Sequence, residues 1–444
     1  MEPAPKTSPD PRARKRRRAV LALLAAPALA HLAGTLICIA LFKDARRTDA
    51  MDWVVHGFFA AYLLSALAIA LLRPRFAPKF ALLVYSGVFA VLLAEVVLRV
   101  AAPAWPPHDV PWPKMQRVAQ AAGTMPGIEG EIRFTTNSIG VRGPEPGDLS
   151  QYDHRILCVG GSTTECIYVT DESSWPWALQ VELADSTGRS VYVGNAGRSG
   201  HHAANHAWML NHYHYAPRFE WVVIMAGIND MGIQLHDSYE KSLRKVPSKT
   251  LVHPSGFAFK SLYYRASEVG IRLSQLRRRL FPPSGSIEQD PGGQWFDRVR
   301  TVRRQVIQER GLTTEPPADT ALWLDRYEKA LMSVIEACRS HDQSLLLITQ
   351  PSLWRDDLPP ELADLLWAAT EEKVYSPGVL RQLMDSYNER MKLVAAREGV
   401  PCLDVAALIP RDDSAFYDDC HFNIAGSLMV SRAVAAWFKE RLKD

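Results

Sequence analysis

Cysteine is scarce in this chain: six in 444 residues, with no C-x-x-C pair. That excludes a zinc ribbon and a dense disulfide framework. Cys38 lies in an apolar run, and Cys158 and Cys402 in strand-like runs, where a thiol is most simply a small core residue. Net charge is nearly absent as well, at +3. Its excess is local, because Lys6, Arg12, Arg14, Lys15, Arg16, Arg17 and Arg18 crowd the N-terminus. This cluster abuts an apolar run, so it reads as a membrane-topology signal and no nucleic-acid partner is expected. Internal repeats and low-complexity tracts are missing, as are the phosphate loops G-x-G-x-x-G and G-x-x-x-x-G-K-[ST]. The G-x-S-x-G nucleophile elbow is absent too.

Long apolar runs, by contrast, fill the first hundred residues. Ala19–Phe42, Trp53–Leu72 and Phe80–Leu98 each reach or approach the length that crosses a bilayer, about 20 apolar residues. Ala28-Leu29-Ala30 resembles a signal-peptidase site, but the length of the first run and the two behind it favour a retained helix. Basic residues at the N-terminus and at Arg73, Arg75 and Lys79 outnumber Lys43, Arg46 and Arg47 between the first two runs. Residues 1–18 are therefore expected in the cytoplasm, residues 19–100 as three transmembrane helices, and the rest outside, periplasmic if the membrane is an inner one. The lipid bilayer is thus an expected partner. Glu95 and Arg99 read as an i,i+4 pair near the interface. Ala101–Lys114, with five prolines and two tryptophans, reads as a stiff linker.

After the linker the pattern changes. Short continuous apolar runs at Arg155–Val159, Val191–Asn195, Trp221–Ala226, Leu345–Thr349 and Cys402–Val405 suit strands buried on both faces. Helical patterns alternate with them at Ser174–Leu183, His202–Tyr213, Leu322–Ser340, Leu380–Glu398 and Ile424–Leu442. Such alternation predicts a three-layer α/β/α sandwich around a parallel sheet, with ligands bound beyond the carboxyl ends of the strands. This domain is expected to fill residues 115–444, with an insertion at about 233–319. The insertion is basic at Arg277-Arg278-Arg279 and is either a lid or substrate platform or a surface elaboration.

Four segments placed about these strand ends carry chemistry: Gly160-Gly161-Ser162-Thr163, Asn195 to Gly200, Gly227-Ile228-Asn229-Asp230 and Asp418-Asp419-Cys420-His421. Together they supply a nucleophile, backbone N–H donors, an amide donor and an Asp-x-x-His base, the parts needed to attack an ester carbonyl. In order and spacing they resemble the SGNH, or GDSL-type, hydrolases over roughly residues 153 to 440. The resemblance implies Ser162 as nucleophile, His421 as base and Asp418 as its orienter. It implies Ser162, Gly200 and Asn229 as the oxyanion hole. Asp419, adjoining Asp418, is the alternative orienter, and Asp230 reads as a cap or loop anchor. Gly161 stands where the name-giving motif has Asp, and Thr163 where it has Leu.

No cofactor is expected. His201, His202, His206, His212 and His214 lack the carboxylate or thiol that would complete a metal site, so no metal is expected either. His202, beside Gly200, is a candidate for lining the pocket. Since Ser162 and His421 must touch, Cys166 and Cys420 come near each other, and an oxidising compartment leaves a disulfide between them open, with Cys338 unpaired. Thr136–Gly143 resembles a lead-in of anchored members, where Arg142 reads as structural. The expected activity is hydrolysis of acyl esters, acetyl esters first, with a glycan as one substrate carrier. An O-acyltransferase with a membrane acyltransferase partner is the alternative, and a catalytically silent glycan-binding protein is disfavoured because no catalytic position is missing.

Overall fold

The computed structural model describes residues 75–101, 116–120, 123, 125–235, 292–370 and 373–442, with isolated positions up to residue 72. The chain divides into two compact units, residues 1–107 with 246–280, and residues 108–245 with 281–444.

In the first unit α1 (Ala77–Ala101) extends over 25 residues. Ala77 and Ala81 bury against Ala66, with Ile69 and Phe80 beside them. Leu82, Leu83, Phe89, Leu93, Val96 and Val97 remain exposed along the same helix. The run expected at 80–98 falls on α1, whereas those at 19–42 and 53–72, the linker and the Arg99 side chain lie wholly or largely outside the described residues. Among the described residues no helix is long and apolar enough to cross a membrane.

The second unit begins with a hairpin that the sequence pattern did not announce. β1 (Gln116–Gln120) pairs antiparallel with β2 (Glu131–Thr135), Gln116 opposite Thr135. Its strands are short and half polar, and Ile132 and Phe134 alone turn inward from β2. The main sheet follows with β3 (His154–Gly160), β4 (Val191–Asn195), β5 (Trp221–Met225), β6 (Ser344–Ile348) and β7 (Cys402–Leu403). All pair in parallel, in the order β4-β3-β5-β6-β7. The helices are α2 (Ser162–Glu165), α3 (Trp175–Thr187), α4 (Ala203–His212), α5 (Ile228–Leu235), α6 (Gly292–Arg310), α7 (Thr320–Ser340), α8 (Pro360–Ala363), α9 (Pro377–Glu398) and α10 (Ile424–Lys439).

The strand order dictates the layers. From β3 the chain steps one way to β4, then back past β3 to β5, β6 and β7. Right-handed crossovers therefore put α3 on one face and α4, α7 and α9 on the other. The packing agrees: α3 lies against α10 and β4, while α7 lies against α4 and α9. Both faces of the sheet are thus covered, which is why Ile156 to Val159, Val222 to Met225 and Leu346 to Ile348 read as unbroken apolar runs and are buried. Truncating one of them, Leu346→Ala, would cost about 2–5 kcal/mol.

Helix boundaries follow local chemistry. Ser376 accepts the Val379 N–H at 3.3 Å ahead of Pro377, the first residue of α9, and Gly399 closes that helix in the left-handed region. Asn423 caps α10 by accepting the Gly426 N–H at 2.9 Å. Of the expected insertion, residues 236–291 lie outside the described set. Its final part is regular structure: α6, with Phe296, Arg300 and Arg303 buried, and a bridge from Thr313 to Tyr375.

Candidate active site

Ser162 opens α2 directly after β3 and Gly161. The turn is short because Cys166 caps it in the left-handed region, at φ 54°. Its carbonyls, which a longer helix would bond internally, are held from outside. Trp175 Nε1 donates to Thr163 O at 3.2 Å, and Asn195 Nδ2 to Thr164 O at 2.7 Å. Arg142 Nη1 donates to Glu165 O and Cys166 O, both at 2.7 Å, and Nη2 to Val169 O. Arg142 is buried, paired through Nε with Asp171 at 2.7 Å, and its guanidinium lies 4.6 Å from the Phe134 ring centre. This arginine is a clamp behind the nucleophile turn, in keeping with its structural reading.

The base arrives from the far end of the chain. Asp418 Oδ1 accepts the N–H groups of Cys420 and His421 at 2.9 and 2.8 Å, which folds the Asp-x-x-His segment into a tight turn. Asp418 Oδ2 then lies 2.7 Å from His421 Nδ1. On the other side of the ring, His421 Nε2 is 2.7 Å from Ser162 Oγ. With Nδ1–H donated to the carboxylate, Nε2 is left as acceptor for the serine hydroxyl.

Burial works against the charge on Asp418, but the attraction of His421 and three hydrogen bonds outweigh it and hold the carboxyl below its ordinary range. Burial likewise works against the imidazolium, and Asp418 overrides it, so His421 is well above the usual histidine value. A base of raised strength beside a fixed hydroxyl is the electrostatic arrangement of a serine nucleophile.

The donors converge on the same place. Ser162, Gly200, Asn229 and His421 all line one cavity of about 550 Å³. Gly200 has φ +78°, a backbone that only glycine adopts without strain, in the turn closed by the His201 N–H on Arg198 O at 3.1 Å. Asn229 Nδ2 donates to His201 O at 2.8 Å, which fixes the amide plane. A Cβ on Gly161 would meet that same Nδ2 at 2.3 Å. An aspartate at this position would dislodge Asn229, which accounts for the glycine.

Asp230 holds the donor loops from below. Its carboxylate accepts the Ala203 N–H at 3.1 and 3.2 Å, and the Gly227 N–H at 3.2 Å, tying the start of α4 to the end of β5. Burial pushes its carboxyl up to about 7. This is the anchoring role expected for it.

Asp419 is not the orienter. Its Oδ1 accepts Trp354 Nε1 at 2.7 Å, and its Oδ2 accepts the N–H groups of Trp367 and Ala368 at 2.6 and 3.2 Å. Burial, and then the charge of Asp418, push it up to about 6. Trp367 in turn donates Nε1 to Asp418 Oδ2 at 3.1 Å. Its ring is nearly parallel to His421, at 18° and 6.5 Å between centres, and Tyr417 is parallel to the imidazole at 10° and 5.6 Å. Trp354 and Trp367 were missed in the sequence, where nothing marks a tryptophan in an irregular segment as a partner of a distant carboxylate.

Two expectations are corrected. The disulfide left open between Cys166 and Cys420 is not formed, and both are free, buried thiols. Cys166 Sγ faces Thr163 O at 3.3 Å and Cys420 Sγ faces His421 Nδ1 at 3.8 Å, so each is turned to its own segment. His202 is not among the cavity-lining residues; it is buried at the start of α4, where burial pushes its imidazole down to about 4. Among the described residues, His201 to His214 form no ligand cluster, and the metal-like group is Asp418, Cys420 and His421, with ligand atoms within 4.8 Å. An ion there would have to break the Asp418–His421 hydrogen bond. Burial also pushes the Cys420 thiol up to about 11, so it is no thiolate at neutral pH. The set fits a triad and not a metal.

A parallel α/β domain with a Ser–His–Asp line at the strand ends is thus what the fold and site define. No family model matches the sequence, and no curated protein does. Among solved structures the chain is similar to an α/β hydrolase enzyme from the metagenome of Lake Arreo, Spain, at 15% identity and TM-score 0.36, over 67% of this chain and 100% of that one. It is similar to an acetylxylan esterase from Geobacillus stearothermophilus at 16% identity and TM-score 0.36, over 64% and 94%. A protein of the G-D-S-L family from Desulfitobacterium hafniense matches at 10% identity and TM-score 0.32, over 64% and 99%.

Proposed function

We propose that the protein is a serine esterase that hydrolyses acyl esters through Ser162, His421 and Asp418. The observation that carries this reading is the unbroken line Ser162 Oγ–His421 Nε2 and His421 Nδ1–Asp418 Oδ2, with both steps at 2.7 Å. Ser162 Oγ attacks the ester carbonyl, forming the Oγ–C bond as its proton passes to His421 Nε2. The oxyanion is received by the N–H groups of Ser162 and Gly200 and the amide of Asn229. Collapse breaks the bond to the alkoxy oxygen, which leaves as the alcohol with the proton from His421. Water then attacks the acyl-enzyme, gives its proton to His421, and the acid departs as Ser162 recovers that proton.

The test is labelling with a fluorophosphonate and mapping of the modified residue. Modification at Ser162, lost in Ser162→Ala together with p-nitrophenyl acetate turnover, supports the reading. Turnover retained by a folded Ser162→Ala protein rejects it.

The reading includes a membrane anchor with the esterase unit on the extracytoplasmic side. It is supported by the exposed apolar residues of α1 and by the basic N-terminus. Protease added to spheroplasts should digest the C-terminal unit, and protection of that unit would reject this location.

A further inference from the structure

The cavity beside Ser162 is far larger than an acetyl group requires. At about 550 Å³ it lies within the range of about 300–1,000 Å³ that holds drug-sized ligands. Its walls include Met231, Leu235, Phe296, Trp354, Trp367 and Leu380. Lys373 is the sole cationic side chain among its described lining residues. Ser162, Asn229 and His421 mark the end where a carbonyl would react, and Thr370, Lys373 and Tyr375 are further polar members of the lining.

The walls are assembled with care, which distinguishes a site from a surface depression. Phe296 comes from α6 and packs edge-on against Tyr168 at 5.7 Å and Tyr417 at 6.0 Å between ring centres, and Tyr417 is the residue before Asp418. Arg300, buried one turn later on α6, donates to Leu365 O at 3.2 Å and Tyr417 O at 3.4 Å. Asp419 pins both tryptophans through their N–H groups. A buried carboxylate facing the charge of Asp418 is costly, and what it holds in exchange is the apolar wall.

We infer that the natural substrate is an ester bearing a bulky apolar group, of the size of a medium-length alkyl chain or an aryl ring, which occupies this cavity while its carbonyl faces Ser162. This rests on the serine esterase reading and names its substrate class. The apolar group enters as the acyl chain or as the alcohol. In either case each methylene moved from water into the cavity gains about three- to fourfold in kcat/KM.

The experiment uses the full chain in detergent and two series: p-nitrophenyl acetate, butyrate, hexanoate and octanoate, and the acetates of ethanol, butanol and octanol. On the order of 1,000-fold rise in kcat/KM is expected along the series whose six added methylenes enter the cavity. A rise along the first identifies the acyl side, and a rise along the second the alcohol side. Filling the cavity with Ala369→Trp, or with Leu235→Trp should the first not fold, should lower the octyl-to-acetyl ratio by about tenfold or more. Equal or falling rates along both series, with Ser162 still labelled by fluorophosphonate, would overturn the inference and leave the esterase reading standing. Absence of both labelling and turnover would overturn the two together.

Discussion

The loops that follow β3, β4 and β5 and the wall made by residues 351–370 and 373–376 with α6 meet on one cavity, yet they are held by opposite means. The loops are short and fixed locally, by glycines, by tight turns and by carbonyls bonded within the same unit of chain. Gly161, Gly200 and Asn229 lie within a few residues of a strand end, and the strand sets their direction. The wall is irregular chain that gains its shape at a distance, from Asp419 acting on Trp354 and Trp367 and from Arg300 acting on Leu365. On the proposed reading, the chemistry would be carried by the part that the backbone holds rigid, and selectivity by the part that depends on a few buried polar pins.

Substitutions on the two sides should therefore fail differently. The largest effect after loss of Ser162 itself is expected for Asp418→Asn, about 10⁴ in kcat with the fold retained, because the wrong tautomer of His421 would face Ser162. The wild-type pH profile checks the same coupling. His421 must be neutral to accept the serine proton, and Asp418 raises its basicity, so kcat/KM should be lost as pH falls through a value above about 6.5, the ordinary histidine value. A profile flat down to pH 5 would break the comparison at its centre. Next comes Asn229→Ala, with a loss of about 10²–10³ in kcat and little change in KM.

The wall should respond more mildly and in a different observable. Trp367→Phe keeps a ring but removes the indole N–H from Asp418. The carboxylate then turns more fully to His421, so kcat should fall about tenfold and the acid limb should move to higher pH. An unshifted limb would reduce Trp367 to a packing residue. The smallest effect is expected for Asp419→Asn, read by urea unfolding. A carboxyl raised to about 6 in the folded state contributes stability that is present below about pH 4 and lost as pH rises through 6. The variant should lack that decline. Because an amide nitrogen replaces an acceptor oxygen facing the N–H groups of Trp354, Trp367 and Ala368, it should be less stable than wild type by about 1–3 kcal/mol at pH 4 and by less at neutral pH. An identical pH dependence would contradict the buried state of this group.

How much was legible in the sequence follows the same division. Strands at 155–159, 191–195 and 221–226 were readable to within about a residue because burial on both faces leaves mostly apolar side chains. Three of the four motifs were marked by following such strands, whereas Asp418 and His421 lie on a separate turn well beyond β7. The β1–β2 hairpin was not, since Gln116–Gln120 carries no alternation strong enough to separate it from a loop. Asp419 was visible as a neighbour of Asp418, but its task depends on residues 52 and 65 positions away, which no local pattern encodes. The cysteine pair shows the converse. A disulfide was left open because Ser162 and His421 touch, but the direction of each thiol is set by its own turn and both are free.

Ser162 and His421 are separated by 259 positions. A ribosome has therefore made nearly the whole domain before this imidazole exists. On the proposed esterase reading, a nascent or clipped polypeptide ending short of residue 421 lacks the base that would activate Ser162 and should leave the esters around it intact.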